Sequence, residues 1–177
     1  MFLNLIKKRR SVRSYLSKPV ERKKIELCLE AARLAPSACN SQPWSFIVVT
    51  DENLKNQIAQ KTYSKLIPMN KFTENAPVLV IIVKEASTLL ATFAGIWKRR
   101  HYSLIDIGIA AEHFCLQAAE LDLGTCMLGW FNERKIKNIL KIPRHKRLAL
   151  IITVGYPESE EIPPKKRKLI DDIRRYV

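Results

Sequence analysis

The chain of 177 residues is close to the length of one domain, and its 47% hydrophobic and 27% charged residues exclude wholesale disorder. Its 31 lysines and arginines outnumber its 17 aspartates and glutamates, which gives a net charge of +14. No two of its five glycines lie two residues apart, which excludes a G-x-G-x-x-G dinucleotide motif, and Trp130 stands where a P-loop would need its lysine.

Hydrophobic periodicity, capping residues and helix-stop residues predict nine elements. In chain order these are a helix over Phe2–Lys8, a helix over about Val20–Leu34, a strand over Trp44–Thr50, a helix from Asp51 to about Lys61, a strand over Val78–Val83, a helix over Leu104–Leu121, a strand over Thr125–Leu128, a helix from Asn132 to Leu140 and a strand over Leu148–Val154. Gly124 is expected to end the longest helix as its C′ glycine. The alternation predicts an α/β or α+β sandwich with helices on both faces of a sheet.

The cysteines and the apolar runs bear on the compartment. Cys28, Cys39, Cys115 and Cys126 form no C-x-x-C pair, and the apolar start of the chain is too short for a signal peptide before the basic residues from Lys7. We therefore expect free thiols, a cytoplasmic protein and no metal site. The apolar runs fit buried strands and are too short to span a bilayer, so no membrane partner is expected.

The positive charge has three possible interpretations: a solvated surface, a nucleic-acid-binding domain, or a site for a small anion. The two densest basic clusters, Lys7–Arg13 and Lys165–Lys168, contain no aromatic residue that could stack on bases. In the first cluster Arg9, Ser11 and Arg13 alternate, so an extended backbone would point all three the same way. Two guanidinium groups beside a hydroxyl suit a phosphate.

A second motif lies between the second helix and the first strand. Ala35–Trp44 has the order P-S-x-x-N-x-Q-P-W, with prolines at both ends and short polar side chains between them. Such a loop is typical of a segment that presents backbone and polar groups to a ligand. A nucleic-acid-binding module has no reason to contain it.

Together, Arg9–Arg13 and Ala35–Trp44 resemble the FMN-dependent nitroreductase family. Further along the chain, Asp106–Leu123 is similar to the family's central dimer helix, Leu128–Phe131 to its flavin-contacting turn, and Val154–Pro157 to its last core strand. The resemblance implies an α+β fold in which helices sandwich a mixed β-sheet, with residues 1–177 forming a single FMN-binding domain. It also implies a homodimer with two FMN sites at its interface.

The resemblance places several residues around the phosphate end of FMN. Arg9 and Ser11 would hold the phosphate, and Lys165 and Arg167 would close on it. Arg10 would contribute largely through its backbone.

Other residues would surround the flavin ring. Pro36, Ser37, Ala38 and Asn40 would come from the other subunit to line it. Arg13 would lie beside the N1/O2 edge, where a cation raises the reduction potential. The backbone N–H of Gly129, after Leu128, would approach N5. Lys71, after Asn70, is the nearest candidate for a further ring contact.

The activity implied by the resemblance is hydride transfer from NADH or NADPH to a small acceptor such as a nitroaromatic or a quinone, by a ping-pong mechanism. Reductive dehalogenation and flavin cleavage are alternatives on the same fold. Because hydride chemistry belongs to the flavin, no catalytic constellation is expected, and His101, His113 and His145 are interpreted as structural or exposed. The family's longer members carry an insertion where only Lys84–Tyr102 is available, which implies a more open site.

Overall fold

The computed structural model describes residues 2–88, 95, 97 and 100–177, and the following bounds refer to that part of the chain. Its α-helices are α1 (Phe2–Lys8), α2 (Arg22–Arg33), α3 (Glu52–Ala59), α4 (Tyr102–Glu120) and α5 (Glu133–Ile139). Its strands are β1 (Trp44–Val49), β2 (Val78–Lys84), β3 (Gly124–Leu128) and β4 (Arg147–Gly155). Every element predicted from the sequence is present. The expectation that Lys84–Tyr102 leaves the site open concerns residues that lie largely outside this description.

Two of the helices begin where capping side chains predict them to begin. The Asp51 carboxylate accepts a hydrogen bond from the backbone N–H of Leu54 at 2.8 Å, and the Asn132 side chain accepts one from that of Lys135 at 3.1 Å. Each bond satisfies a donor that the first helical turn cannot pair internally. The caps fix where α3 and α5 leave the preceding strand or turn.

The described strands form one sheet in the order β1-β2-β4-β3, and all three strand pairs are antiparallel. A register shift between Ile82 and Val83 interrupts the pairing of β2 with β4. Parallel pairing among the described residues is limited to one bridge, between Ser11 and Thr125 of β3. The α+β fold is confirmed, and the parallel contribution to its sheet comes from this short basic segment.

Alternate residues of the central strands face two separate cores. On one face Val80 and Ile82 of β2 pack with Phe114 of α4 and with α2. On the other face Leu79 and Ile81 pack with residues of α3 and α5. Because both faces of the sheet are covered at β2, residues of this strand that point to either face are apolar. The predicted helices on both sides of the sheet are therefore confirmed.

The end of α4 differs from the prediction. Leu121 caps the helix, and Asp122 takes the left-handed conformation (φ 61°), whereas Gly124 is already the first residue of β3. Aspartate adopts this conformation more readily than most residues, and Lys8 Nζ contacts its carboxylate at 2.6 Å. Gly124 serves a different purpose, which is the close approach described in the next section.

Among the described residues, no helix is both long enough and apolar enough to cross a membrane.

Candidate functional site

The basic segment Arg9–Arg13 lies against the edge of β3. The backbone N–H of Val12 donates to the carbonyl of Thr125 at 2.9 Å, and Val12 is buried while Ser11 and Arg13 are exposed. A Cβ on Gly124 would come within 2.6 Å of Val12 Cγ2, so only glycine permits this approach. Ser11 and Arg13 thus alternate with the buried Val12.

Tyr15 fixes the end of the basic segment from inside the core. Its hydroxyl donates to the carbonyl of Val12 at 2.7 Å and lies 2.6 Å from Thr153 Oγ1 of β4. Burial raises the pKa of Tyr15 above its usual range, so the hydroxyl remains a neutral donor. The direction in which Ser11 and Arg13 point is therefore set by buried hydrogen bonds.

Arg9, Lys165 and Arg167 form a cationic cluster beside α1. The Lys165 ammonium donates to the main-chain carbonyls of Ile6 and Arg9. Burial lowers the pKa of Lys165, and the charges of Arg9 and Arg167 lower it further. Arg9 and Arg167 are thus close enough to Lys165 to repel its charge.

Glu112 is the ion-pair partner of Arg9 in this cluster. Arg9 Nε is 3.1 Å from Glu112 Oε1 of α4, which is an ion-pair distance. The buried Nε–H of Arg9 nevertheless forms no hydrogen bond. The two groups are within ion-pair distance, but they are not aligned as a hydrogen bond requires. Glu112 is ion-paired with only one of the three cations, and the buried N–H of Arg9 forms no hydrogen bond, which leaves a net attraction for an anion.

The two remaining arginines of the segment have separate surroundings. The Arg10 guanidinium donates to the carbonyl of Ser159, so its side chain fastens the C-terminal tail. Arg13 lies over Phe72, with its guanidinium carbon 5.9 Å from the ring centre. The charge of Arg13 partly offsets the rise that burial causes in the pKa of Cys126, which places it beside β3. Lys71, the neighbour of Phe72, is exposed.

The turn after β3 exposes its backbone at Gly129. Gly129 is exposed, and a Cβ built on it would meet no atom within 4 Å. Packing within the chain therefore does not require this glycine. The buried side chain of Asn70 donates to the carbonyls of Trp130 at 3.0 Å and Thr62 at 3.1 Å, which holds the turn in place.

The Pro36–Trp44 loop is bonded mainly to itself. Ser37 Oγ accepts from the backbone N–H of Gln42 at 2.9 Å, and Gln42 Nε2 donates to Asn40 Oδ1 at 3.0 Å. Cys39, Asn40 and Gln42 have φ values of 51°, 48° and 47°, in the left-handed region that non-glycine residues seldom adopt. Strain of this kind persists where surrounding bonds over-determine it, and it is common at ligand sites.

The model of the "Nitroreductase family" matches residues 6–156. The chain belongs to the nitroreductase family.

Its relatives within that family carry several activities in their names. It is 31% identical to an iodotyrosine deiodinase of Thermotoga neapolitana, over 90% of each chain. It is 31% identical to a Methanothermobacter thermautotrophicus protein whose name carries NADH dehydrogenase and NAD(P)H nitroreductase, over 99% of this chain and 85% of that protein. The solved structure of an FMN-dependent nitroreductase from Clostridium difficile has 29% identity and a TM-score of 0.79, with 98% of each chain covered.

In this member of the nitroreductase family the expected site residues fall into two groups. Arg9, Ser11 and Arg13 lie along the segment at β3, with Lys165 and Arg167 beside Arg9, whereas Pro36–Asn40 lie in the loop before β1. No hydrogen bond or ion pair joins the two groups within the described part of the chain. Both groups contact α4. The loop does so through Asp106, and the basic segment does so through Glu112.

The spacing of these two attachments separates the groups. Asp106 and Glu112 are six residues apart, which on an α-helix means about 9 Å along the axis and about 120° around it. The residues that the resemblance assigns to one flavin site are therefore distributed over different faces of α4 in one chain.

Sequence reasoning missed Asp106. Asp106 is buried, and its Oδ1 accepts from the backbone N–H of Ala38 at 3.2 Å, while its Oδ2 forms no hydrogen bond. A carboxylate within the apolar stretch Leu104–Ala111 is the signal that could have revealed it. The side chain of Asn70, the neighbour of Lys71, donates to two backbone carbonyls and so supports the turn at Trp130.

Proposed function

We propose that this chain is an FMN-dependent oxidoreductase that takes hydride from NADH or NADPH and reduces a small acceptor such as a nitroaromatic or a quinone. Residues 1–177 form one FMN-binding domain of a homodimer. The cationic cluster of Arg9, Lys165 and Arg167 is the observation that carries this proposal, because it holds more positive charge than Glu112 offsets.

The residues fit FMN better than a flavin without a phosphate. A phosphate offers several acceptor oxygens, which suit the Arg9 Nε that forms no hydrogen bond and the exposed Ser11 hydroxyl. Arg9 of the cluster and Gly124, the first residue of β3, line the same cavity, and Gly129, five residues further on, lies about 17 Å away at the usual rise of a strand. Both ends of an elongated cofactor therefore have candidate partners along one strand.

Each protein group has its own task in this proposal. Arg9, Ser11, Lys165 and Arg167 bind the phosphate, and Arg13 stabilises the negative charge that reduction adds to the ring. Gly129 exposes a backbone N–H with no side chain to block access. FMN, when bound, supplies the hydride acceptor and donor of the reaction. Leu128 is buried at the end of β3 and anchors the turn, and Lys71 is retained as a ring contact.

Exposed residues of α4 support the homodimer. Leu104 and Ile105 are about half exposed, at 52% and 53%. Gly108, in the same helix, is exposed, and a Cβ on it would meet no atom within 4 Å. Glycine within a helix costs about 1 kcal/mol relative to alanine, so a close approach by a second copy explains its presence better than packing within the chain. A second copy would also supply Pro36–Asn40 to the flavin ring.

The cofactor test is the composition of the purified protein. We expect a yellow protein with about one FMN per chain and a clear preference for FMN over riboflavin on reconstitution. Equal affinity for the two flavins would contradict the phosphate assignment.

The kinetic test uses NADH or NADPH with a quinone or nitroaromatic acceptor. Donor and acceptor that use the same site in turn give parallel double-reciprocal lines, which we expect here. Converging lines would mean that both substrates bind together, and the single-site mechanism would be wrong.

Reductive dehalogenation is a second candidate, favoured by the iodotyrosine deiodinase among the relatives. It is tested by halide release from iodotyrosine with the reduced protein. Release at a rate comparable to quinone reduction would make dehalogenation the leading activity, and its absence would leave the reductase proposal in place.

The proposed compartment is the cytoplasm, and no nucleic acid or membrane is among the proposed partners. Cys28, Cys39, Cys115 and Cys126 are all free thiols, which supports a reducing environment.

A further inference from the structure

A basic groove of about 660 Å³ lies between α5 and the loop that precedes β4. It is lined by Glu133, Arg134, Lys137, Asn138, Arg144 and Arg147. None of these residues belongs to the expected FMN set, and the proposed function assigns them no task.

The groove contains cations that the protein does not neutralise. Glu133 is the one carboxylate of its lining, and it lies 3.0 Å from Arg147 Nε and 3.5 Å from Lys137 Nζ. The side chains of Arg134 and Arg144 are exposed and form no hydrogen bond or ion pair with the described residues. Two guanidinium groups thus remain available to an anionic ligand.

The groove is held open by hydrogen bonds to the backbone. Lys137 Nζ donates to the carbonyls of Arg144 and Lys146, each at 2.9 Å, and so ties the loop to α5. The backbone N–H of Lys146 donates to the carbonyl of Pro143 at 3.0 Å, which closes the loop on itself. A ligand would therefore meet a wall already in place and would lose little affinity to ordering it.

The groove continues towards the turn after β3. A second cavity, of about 440 Å³, is lined by Gly129 and Phe131 and shares Glu133 and Arg147 with the basic groove. A molecule that reaches from Gly129 into the groove passes these two shared residues.

We propose that the basic groove binds the phosphate groups of the nicotinamide dinucleotide, while its nicotinamide end reaches the side of Gly129. This inference rests on the proposed function, since it requires a dinucleotide donor. The chain has no G-x-G-x-x-G loop to bind the dinucleotide phosphates, whereas the groove offers two exposed guanidinium groups. Arginine suits this task, since its planar fork of donors matches the oxygens of a phosphate.

The test compares the double variant Arg134→Gln/Arg144→Gln with the double variant Arg22→Gln/Lys23→Gln. The second pair removes the same charge from the exposed start of α2 and so controls for long-range attraction. Two quantities are measured on the FMN-loaded protein: the Kd of NADP⁺ and NAD⁺ by calorimetry, and the rate of flavin bleaching without oxygen. The donors for bleaching are NADPH, NADH and 1-benzyl-1,4-dihydronicotinamide, which carries no phosphate.

We expect Arg134→Gln/Arg144→Gln to raise the Kd of the dinucleotide about tenfold or more, equivalent to about 1.4 kcal/mol, and to leave bleaching by the benzyl donor unchanged. A loss confined to NADP⁺ assigns the groove to the 2′-phosphate, and a loss for both dinucleotides assigns it to the pyrophosphate. Either result supports the inference.

An unchanged Kd for both dinucleotides would overturn the inference, as would a parallel loss of bleaching by the benzyl donor. Failure of the proposed function has a different signature, because the wild-type flavin would then be bleached by neither NADPH nor NADH. The NADP⁺ titration remains decisive for the groove in that case, since it requires no turnover.

Discussion

The basic segment at β3 and the Pro36–Trp44 loop are built on opposite principles. The basic segment fixes its backbone with buried bonds from Tyr15 and leaves the Ser11 and Arg13 side chains exposed. The loop uses most of its polar groups on itself and holds three residues in the left-handed region. One region therefore offers unneutralised charge, whereas the other offers a fixed shape.

This difference indicates how a flavin site can divide its work. Charge attracts a phosphate from any direction but gives little control over a flat, uncharged ring. A pre-formed loop contributes little long-range attraction but positions a ring without further ordering. Changes in the basic segment should consequently affect the phosphate, and changes in the loop should affect the ring.

The largest effect is expected from Arg9→Ala. Losing one charge-assisted hydrogen bond to the phosphate should weaken FMN binding by roughly 1.5–3 kcal/mol. Flavin fluorescence titration measures this, with Lys7→Ala, on the exposed side of α1, as the matched control. Equal losses in the two variants would mean that general positive charge, and not Arg9, binds the phosphate.

Next comes Gly124→Ala, which should push the basic segment away from β3. The added Cβ would lie 2.6 Å from Val12 Cγ2, and overpacking of this kind costs about 1–3 kcal/mol of unfolding free energy. FMN affinity should fall with it. Gly129→Ala is the control, because its Cβ meets no atom, so chemical denaturation should show unchanged stability. Similar denaturation midpoints for the two variants would contradict the assigned role of Gly124.

A smaller effect is expected from Asp106→Leu, which acts on the loop. Without the carboxylate, the backbone N–H of Ala38 loses its acceptor, at a cost of about 1 kcal/mol. Affinity for FMN and for riboflavin should fall equally, since only the ring is affected. Asp106→Asn keeps an acceptor oxygen and should restore both affinities. A loss confined to FMN would place Asp106 in the phosphate site.

The smallest effect is a pH dependence of flavin preference. Because burial and the neighbouring cations lower the pKa of Lys165, its ammonium loses its proton at a lower pH than a free lysine, whose pKa is about 10.4. Phosphate binding favours the charged form, so the ratio of the riboflavin Kd to the FMN Kd should fall as the pH rises from about 7 towards 10. Taking the ratio cancels the ionisation of the shared ring.

Lys165→Gln is the control for this pH dependence. It should give a lower ratio that stays flat over the same range. A sloping ratio in Lys165→Gln would assign the titration to another group.

The sequence predicted what depends on local periodicity and single caps. The apolar alternation of β2 and the caps Asp51 and Asn132 are local signals, and the structure confirms the elements they predict. The prediction of how α4 ends was wrong. Asp122 and Gly124 both suit a turn, and a contact from the distant Lys8 favours Asp122.

The site was less predictable than the fold, since it depends on contacts between distant parts of the chain. The bond from Ala38 to Asp106 spans 68 residues, and that from Asn70 to Trp130 spans 60. The left-handed conformations of the loop depend on such contacts, because Cys39 and Gln42 carry no local signal for them. The residues of the site were identified by resemblance, and their arrangement required the structure.

The most direct test of the proposed two-subunit site is complementation between two inactive variants. Arg9→Glu damages the basic segment, and Asn40→Asp adds charge to the loop while keeping the oxygen that accepts from Gln42. If one flavin site takes Arg9 from one chain and Asn40 from its partner, a mixed dimer carries both lesions in one site and none in the other. Random co-assembly gives about half mixed dimers with one intact site of two, so about a quarter of wild-type activity is expected after co-expression. Activity that stays at the level of the two parents, in a preparation shown to contain mixed dimers, would mean that each site is built within one chain.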